Sequence, residues 1–305
     1  MNPDTKLTDE QIKEICQRHD ITYRYHERIT TGFSHEVHRL NDDLVIKLYN
    51  TDDSQRFTTE SAMLALDAPI KKPRLIAKGR SDESIDRDYV IMSYVPGFSL
   101  GGRWHLASDS QREALISDIS QSLQAINKVD QQTVSLQAQQ SWEQYIAKRS
   151  SSLVESLLKK ETIDPAIADK VQAFFDDNLH IFAGEKLYPV YWDIHFDNFI
   201  VDENFKLQAL IDLENVELTA LDYPLVVIQK QIDEPEKYLS EADERYADKA
   251  DYAKLRGWYE KYYPEIFTSE HLETRLKAYL LLDTLHLLVN WSHVKSLHEK
   301  LKTLL

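Results

Sequence analysis

The chain has 305 residues, 42% hydrophobic and 29% charged, enough to bury a large core in one or two globular domains. A formal net charge of −15 argues against a broad basic face, and so against a nucleic-acid or anionic-membrane partner. The single cysteine, Cys16, excludes an internal disulfide and points to a reducing compartment. The opening residues lack the apolar core of a signal peptide, so a cytoplasmic location is expected. The longest apolar stretch, 279–289, is broken by Asp283 and His286 and is too short to span a bilayer.

Thr8 and Gln11 form a capping box, and Ile12, Ile15 and Cys16 then share one helical face. From Ile21 to Tyr49 the pattern changes to strands. A hairpin with a small-residue tip, Thr30-Thr31-Gly32-Phe33-Ser34, precedes the strand Leu44-Val45-Ile46-Lys47-Leu48-Tyr49. A lysine inside an apolar strand is expensive to bury unless an anion pairs with it. The competing reading is an edge strand with Lys47 in water. A helix is expected over 54–66, and Glu60 on it is a partner for Lys47. Residues 73–79 and 88–94 read as two more strands. Val95-Pro96-Gly97 then stops the sheet and marks a domain boundary, because the chain beyond it is mostly helical in pattern.

Helices are expected over 111–126, 142–158 and 167–178, and over 272–293, which is apolar enough to be central to a C-terminal core. Asp222 stands in N-cap position before a further helix. The stretch 232–254 carries eight acidic and four basic residues and reads as a solvated helix face.

The most informative stretch is 188–215. Its apolar runs are short and bounded by polar turns such as Asp202-Glu203-Asn204, so they read as strands of a hairpin. Asp193 and Asn198 bracket a loop before the first of the hairpin's strands, and Asp212 ends the second. A hairpin brings its ends together, so the three side chains can meet at one mouth. Phosphoryl transfer needs such a set: a carboxylate to accept the proton of the attacking hydroxyl, and an amide oxygen and a second carboxylate to hold magnesium. Asp and Asn are also common turn residues that cap their own backbones, and that reading stays open on this stretch alone.

The order of features resembles the aminoglycoside phosphotransferase and choline kinase-like superfamily. That order is loop hairpin, lysine strand, Glu helix, hinge, helices, Asp-x-x-x-x-Asn and strand-end Asp. The family loop H-G-D-x-H-x-x-N stands here as Tyr191-Trp192-Asp193-Ile194-His195-Phe196-Asp197-Asn198, with Tyr191 and Trp192 replacing the first His and the Gly. The strand-end I-D-W-E is Ile211-Asp212-Leu213-Glu214, the hinge is Met92-Ser93-Tyr94-Val95-Pro96-Gly97, and the nucleotide loop is Thr31-Gly32-Phe33-Ser34-His35.

The resemblance implies an α+β, bilobal, protein-kinase-like fold. Residues 1–95 would be a nucleotide-binding lobe with an antiparallel sheet and one main helix. Residues 96–305 would be a larger, mostly helical catalytic and substrate-binding lobe. It further implies a Mg2+-dependent kinase that moves the γ-phosphate of ATP or GTP to a hydroxyl of a small molecule such as an aminoglycoside, an amino alcohol or a sugar. The negative charge suits a cationic acceptor, and solubility alone explains it about as well. Asp193 would be catalytic, and Asn198 and Asp212 would hold the metal. Lys47, positioned by Glu60, would contact the phosphates, which Gly32 and Ser34 would cover. The backbone of Ser93, Tyr94 and Val95 would receive the purine, and His195 would support the loop. The alternative is a kinase-like fold that binds nucleotide without turnover.

Overall fold

The computed structural model describes residues 6–29, 35–50, 52–136, 138, 140–240 and 243–305. The capping box at Thr8 and Gln11 is present and starts α1 (Asp9–Arg18). Strands β1 (His26–Ile29), β2 (Glu36–Leu40) and β3 (Leu44–Leu48) come next, then α2 (Ser54–Ala65), β4 (Leu75–Gly79) and β5 (Tyr89–Ser93). These strands form one antiparallel sheet in the order β1-β2-β3-β5-β4. β3 is therefore central, and the edge-strand reading of Lys47 falls.

Successive side chains of a strand point to opposite faces. Ile46, Leu48, Tyr89 and Ile91 cluster with Ile12, Ile15 and Cys16 of α1. Val90 and Met92 belong instead to the larger core that includes Phe57, Met63 and Leu64 of α2. Lys47, between Ile46 and Leu48, is thus directed to the α2 face. Cys16 is a fully buried core residue, as its helical spacing implies.

The remainder is larger and mostly helical. It comprises β6 (Phe98–Ser99), α3 (Asp109–Asn127), α4 (Trp142–Lys159), α5 (Pro165–Asn178), β7 (Tyr188–Tyr191), β8 (Phe199–Val201), β9 (Leu207–Leu210) and β10 (Val216–Thr219). Then come α6 (Leu225–Asp233), the single turn α7 (Lys249–Tyr252), α8 (Leu255–Tyr262), α9 (Leu272–Asn290) and α10 (Lys295–Leu304). β8 and β9 are the expected hairpin, with Phe199 opposite Leu210. β7 does not join it; it pairs with β10, Tyr191 opposite Val216. α3 starts two residues before the expected 111, because Gln111 is the third residue of a capping box led by Ser108.

Three expectations are corrected. The acidic stretch 232–254 is not one helix: α6 stops at Asp233 ahead of Pro235, and the chain continues in short 3-10 turns before α7. Proline supplies no N–H to extend a helix. The helix expected to run to residue 293 ends at Asn290, and a separate helix, α10, buried only through Leu297 and Leu301, comes after it.

The third correction concerns Asp222, which caps nothing. Pro224 precedes α6 and no side chain caps that helix. Asp222 is buried and accepts hydrogen bonds from Arg275 Nη2 at 2.8 Å and Tyr279 Oη at 2.9 Å. The same guanidinium reaches Glu185 at 2.7 Å and the Ile181 carbonyl at 3.1 Å. This network ties α9 to the turn before α6. Among the described residues no helix is long and apolar enough to cross a membrane.

Removing one partner of a buried ion pair strands the other without solvent. Asp222→Ala is expected to lower stability by about 3–5 kcal/mol, measured as the urea unfolding midpoint at constant slope.

Candidate active site

Lys47 is the hub of the site. Its Nζ lies 2.7 Å from Glu60 Oε2, 2.8 Å from Asp212 Oδ1 and 2.8 Å from Glu214 Oε2. α2 presents Glu60 because its inward face is the run of buried residues around Thr59, Ser61, Met63 and Leu64. Tyr49 donates its phenol proton to the same Glu60 oxygen. Burial by itself would discharge the lysine, but the Asp212, Glu60 and Glu214 charges more than offset it and hold the ammonium well above its ordinary range. Burial pushes the Glu60 carboxyl upward, with Lys47 opposing. Burial acts the same way on Glu214, but the His35 hydrogen bond and Lys47 outweigh it and hold that carboxyl well below its usual range.

The side chains of Lys47, Glu60 and Glu214 are 3% exposed or less, whereas Asp212 is 45% exposed. Asp212 sits in the left-handed region, φ 55° and ψ 44°, at the end of β9. An L-residue there is uncommon, though Asp tolerates it better than most. One oxygen of its carboxylate meets Lys47 while the side chain stays partly open to solvent.

The Asp193–Asn198 loop is held from several sides. Asn198 Nδ2 donates to the Asp193 carbonyl at 2.9 Å, closing the six-residue loop on itself and leaving the amide oxygen as an acceptor. Ile211 N–H donates to the Asn198 carbonyl at 2.9 Å, which sets Asn198 beside the strand-end Asp212. Asp193 Oδ2 lies 3.1 Å from Asn215 Nδ2, 3.4 Å from Asn198 Nδ2 and 3.6 Å from His195 Nε2. Burial lowers the His195 pKa, but Asp193 more than compensates, so the net shift is upward. Phe196 packs on Trp104 at 4.4 Å between ring centroids, and Asp197 accepts from Ser99 Oγ at 2.5 Å. Gly101 makes room for this: a Cβ there would stand 2.3 Å from Asp197 Oδ1.

The two departures from the family loop have visible placements. Tyr191 is buried, and its phenol donates to the Ile211 carbonyl at 2.9 Å, bracing the residue just before Asp212. Trp192 packs on the large core, with its ring centroid 6.0 Å from that of Tyr223.

The sequence-derived set divides into three groups. Lys47, Glu60 and Asp212 are in direct contact, and Asn198 contacts Asp193. Gly32 and Ser34 lie outside the described residues. At the hinge, Ser93 N–H is spent on the Arg74 carbonyl and Tyr94 N–H on the Asp43 carbonyl, residues that flank the strands of the sheet. Only Val95 of the three has a backbone N–H with no such bond among the described residues.

Four contributors were not singled out from sequence: Glu214, Asn215, His35 and Arg56. His35 Nε2 stands 2.8 Å from Glu214 Oε2, and Arg56 Nη1 stands 3.3 Å from Glu214 Oε1. Glu214 was legible as the last letter of the strand-end motif. Arg56 and Asn215 gave no sequence signal.

Magnesium is held by one or two carboxylates, with phosphates and waters completing an octahedron. The open Asp212 carboxylate and the Asn198 amide oxygen are a donor set of that size. Among the described residues no group of three or more His, Cys, Asp or Glu side chains forms an all-protein cage.

Known proteins share this architecture. Residues 26–258 match the model of the phosphotransferase enzyme family, APH, and the chain belongs to that family. Among solved structures, an APH(2") enzyme in complex with GDP and kanamycin superposes with a TM-score of 0.70 at 14% identity, covering 96% of both chains. The streptomycin–ATP ternary complex of APH(2")-IIa gives 0.69 at 15% identity, covering 98% of this chain and 96% of the other. ADP-bound APH(2")-Ib gives 0.67 at 16%, covering 98% and 97%. At these identities the likeness is one of fold. No curated protein sequence matches the chain.

Because the folded-state pKa of Glu214 is depressed, its contribution to stability is complete above its ordinary value near 4.5 and is lost as pH falls below it. Glu214→Gln is expected to remove that part of the acid sensitivity. The check is unfolding free energy as a function of pH, in which the wild type should fall more steeply than the variant below about pH 4.5.

Proposed function

We propose that the chain transfers the γ-phosphoryl group of Mg·ATP or Mg·GTP to a hydroxyl of a small acceptor such as an aminoglycoside, an amino alcohol or a sugar. The observation that carries this reading is the contact of one buried lysine with both the α2 glutamate and the strand-end aspartate, at the mouth where Asp193 also stands. In this reading residues 1–95 bind the nucleotide and 96–305 the acceptor, in the cytoplasm.

Lys47 is the fixed positive charge for the nucleotide phosphates, with Glu60 keeping it extended. Three carboxylates already surround it, so a polyphosphate would meet net negative charge. Magnesium, when bound at Asp212 and Asn198, would supply the missing neutralisation of the phosphates. Val95 N–H is available to a purine nitrogen.

Asp193 accepts the proton of the acceptor hydroxyl as that oxygen bonds to the γ-phosphorus. The bond from phosphorus to the β-bridging oxygen breaks, and its electron pair leaves with the nucleoside diphosphate. The protein forms no covalent intermediate; its contribution is placement and fixed charge. Two of the structural neighbours are complexes with kanamycin and streptomycin, amine-bearing molecules, and the net charge of −15 favours a cationic acceptor here as well.

The test is acceptor-stimulated release of nucleoside diphosphate from ATP and GTP, with aminoglycosides, choline, ethanolamine and sugars as acceptors. Asp193→Asn is expected to lose at least about 100-fold in turnover while binding Mg-nucleotide within about twofold of the wild type. Substantial acceptor-dependent turnover in that variant would remove Asp193 from its role.

A further inference from the structure

The β7–β10 ladder ends at the pair Tyr191–Val216. Continuing each strand past that pair sets Asn215 against the Trp192–Asp193 corner. Its side chain uses the position: Asn215 Nδ2 donates to Asp193 Oδ2 at 3.1 Å. The Asn198 amide at 3.4 Å and the His195 ring at 3.6 Å approach the same oxygen. Oδ1 has no hydrogen bond from a described residue. The carboxylate therefore has one oxygen turned to its own protein and one left over.

Asn215 also closes the 3-10 turn formed by Leu213, Glu214 and Asn215, its N–H donating to the Asp212 carbonyl at 3.3 Å. That turn carries the Glu214 contact to Lys47 and packs beside α2. One amide thus links the carboxylate on the acceptor side to the segment bearing the nucleotide-side charges. An amide suits the place because it donates without adding charge, whereas an aspartate there would repel Asp193.

We infer that Asn215 is a positioning residue for transfer: it holds Asp193 Oδ2 so that Oδ1 faces the acceptor hydroxyl. The inference rests on the proposed role of Asp193. Misplacing a catalytic group by a fraction of its reach costs rate while leaving nucleotide affinity alone.

The test uses the full chain and whichever acceptor gives the strongest wild-type turnover. Asn215→Leu keeps the volume and removes the donor; Asn215→Asp keeps the shape and replaces a donor with a charge. Both are expected to lower kcat by about 10- to 100-fold, with KM for the nucleotide within about threefold and the thermal midpoint within a few degrees of the wild type. The discriminating measurement is the double variant. If Asn215 acts through the Asp193 carboxylate, Asn215→Leu adds less than about twofold to the loss already present in Asp193→Asn.

Multiplying losses in the double variant would overturn the inference and assign Asn215 a separate structural role. Wild-type kcat in both single variants, alongside an inactive Asp193→Asn, would overturn it while leaving the proposed function standing. An active Asp193→Asn would instead overturn the function on which it rests.

Discussion

A buried ammonium ion bonded to three carboxylates from distant parts of the chain is the constraint around which this protein is arranged. Lys47 comes from the middle strand of the sheet, Glu60 from α2, and Asp212 and Glu214 from the turn after β9. Desolvating a lysine costs several kcal/mol before any partner is supplied. The cost is met only when sheet, helix and hairpin converge, so the charge cluster and the relative placement of those elements are one and the same problem. The excess of carboxylates is poor design for stability alone. In the function proposed above, a bound divalent ion would redress that balance.

The second layer is the fixing of the Asp193 loop. Asn198 closes it, Asn215 and His195 attend its carboxylate, and Asp197 is drawn into the space left by Gly101. Tyr191 joins this loop to the chain just before Asp212. The ties through Asn198, Asn215 and Tyr191 are modest hydrogen bonds, worth about 1 kcal/mol each on their own. Together they limit how far the Asp193 carboxylate can drift from Asn198 and from the turn after Ile211.

Much of this was legible in the chain. The apolar strand around Lys47, the Thr8–Gln11 capping box and the short runs of the β8–β9 hairpin are local patterns, and local patterns survive reading in one dimension. The Asp193-to-Asn198 spacing was legible because the loop closes on itself through that very pair. Asp222 was misread because its position before a helix suggested a cap, while its true partner, Arg275, is far along the chain. The acidic 232–254 stretch was misread because charge pattern outweighed the helix-stopping effect of Pro235.

Most of the helices and strands, their order, and the residue types able to carry phosphoryl transfer were determined by the sequence alone. They come from periodicity, turn chemistry and the scarcity of reasons to bury a lysine. Tertiary structure alone decided that β3 is central, that β7 pairs with β10 rather than with the hairpin, and that Glu214 joins Lys47. It also decided that Asn215 meets Asp193. Strand pairing and ion-pair choice depend on which surfaces meet after folding, and neighbours in sequence carry no record of it.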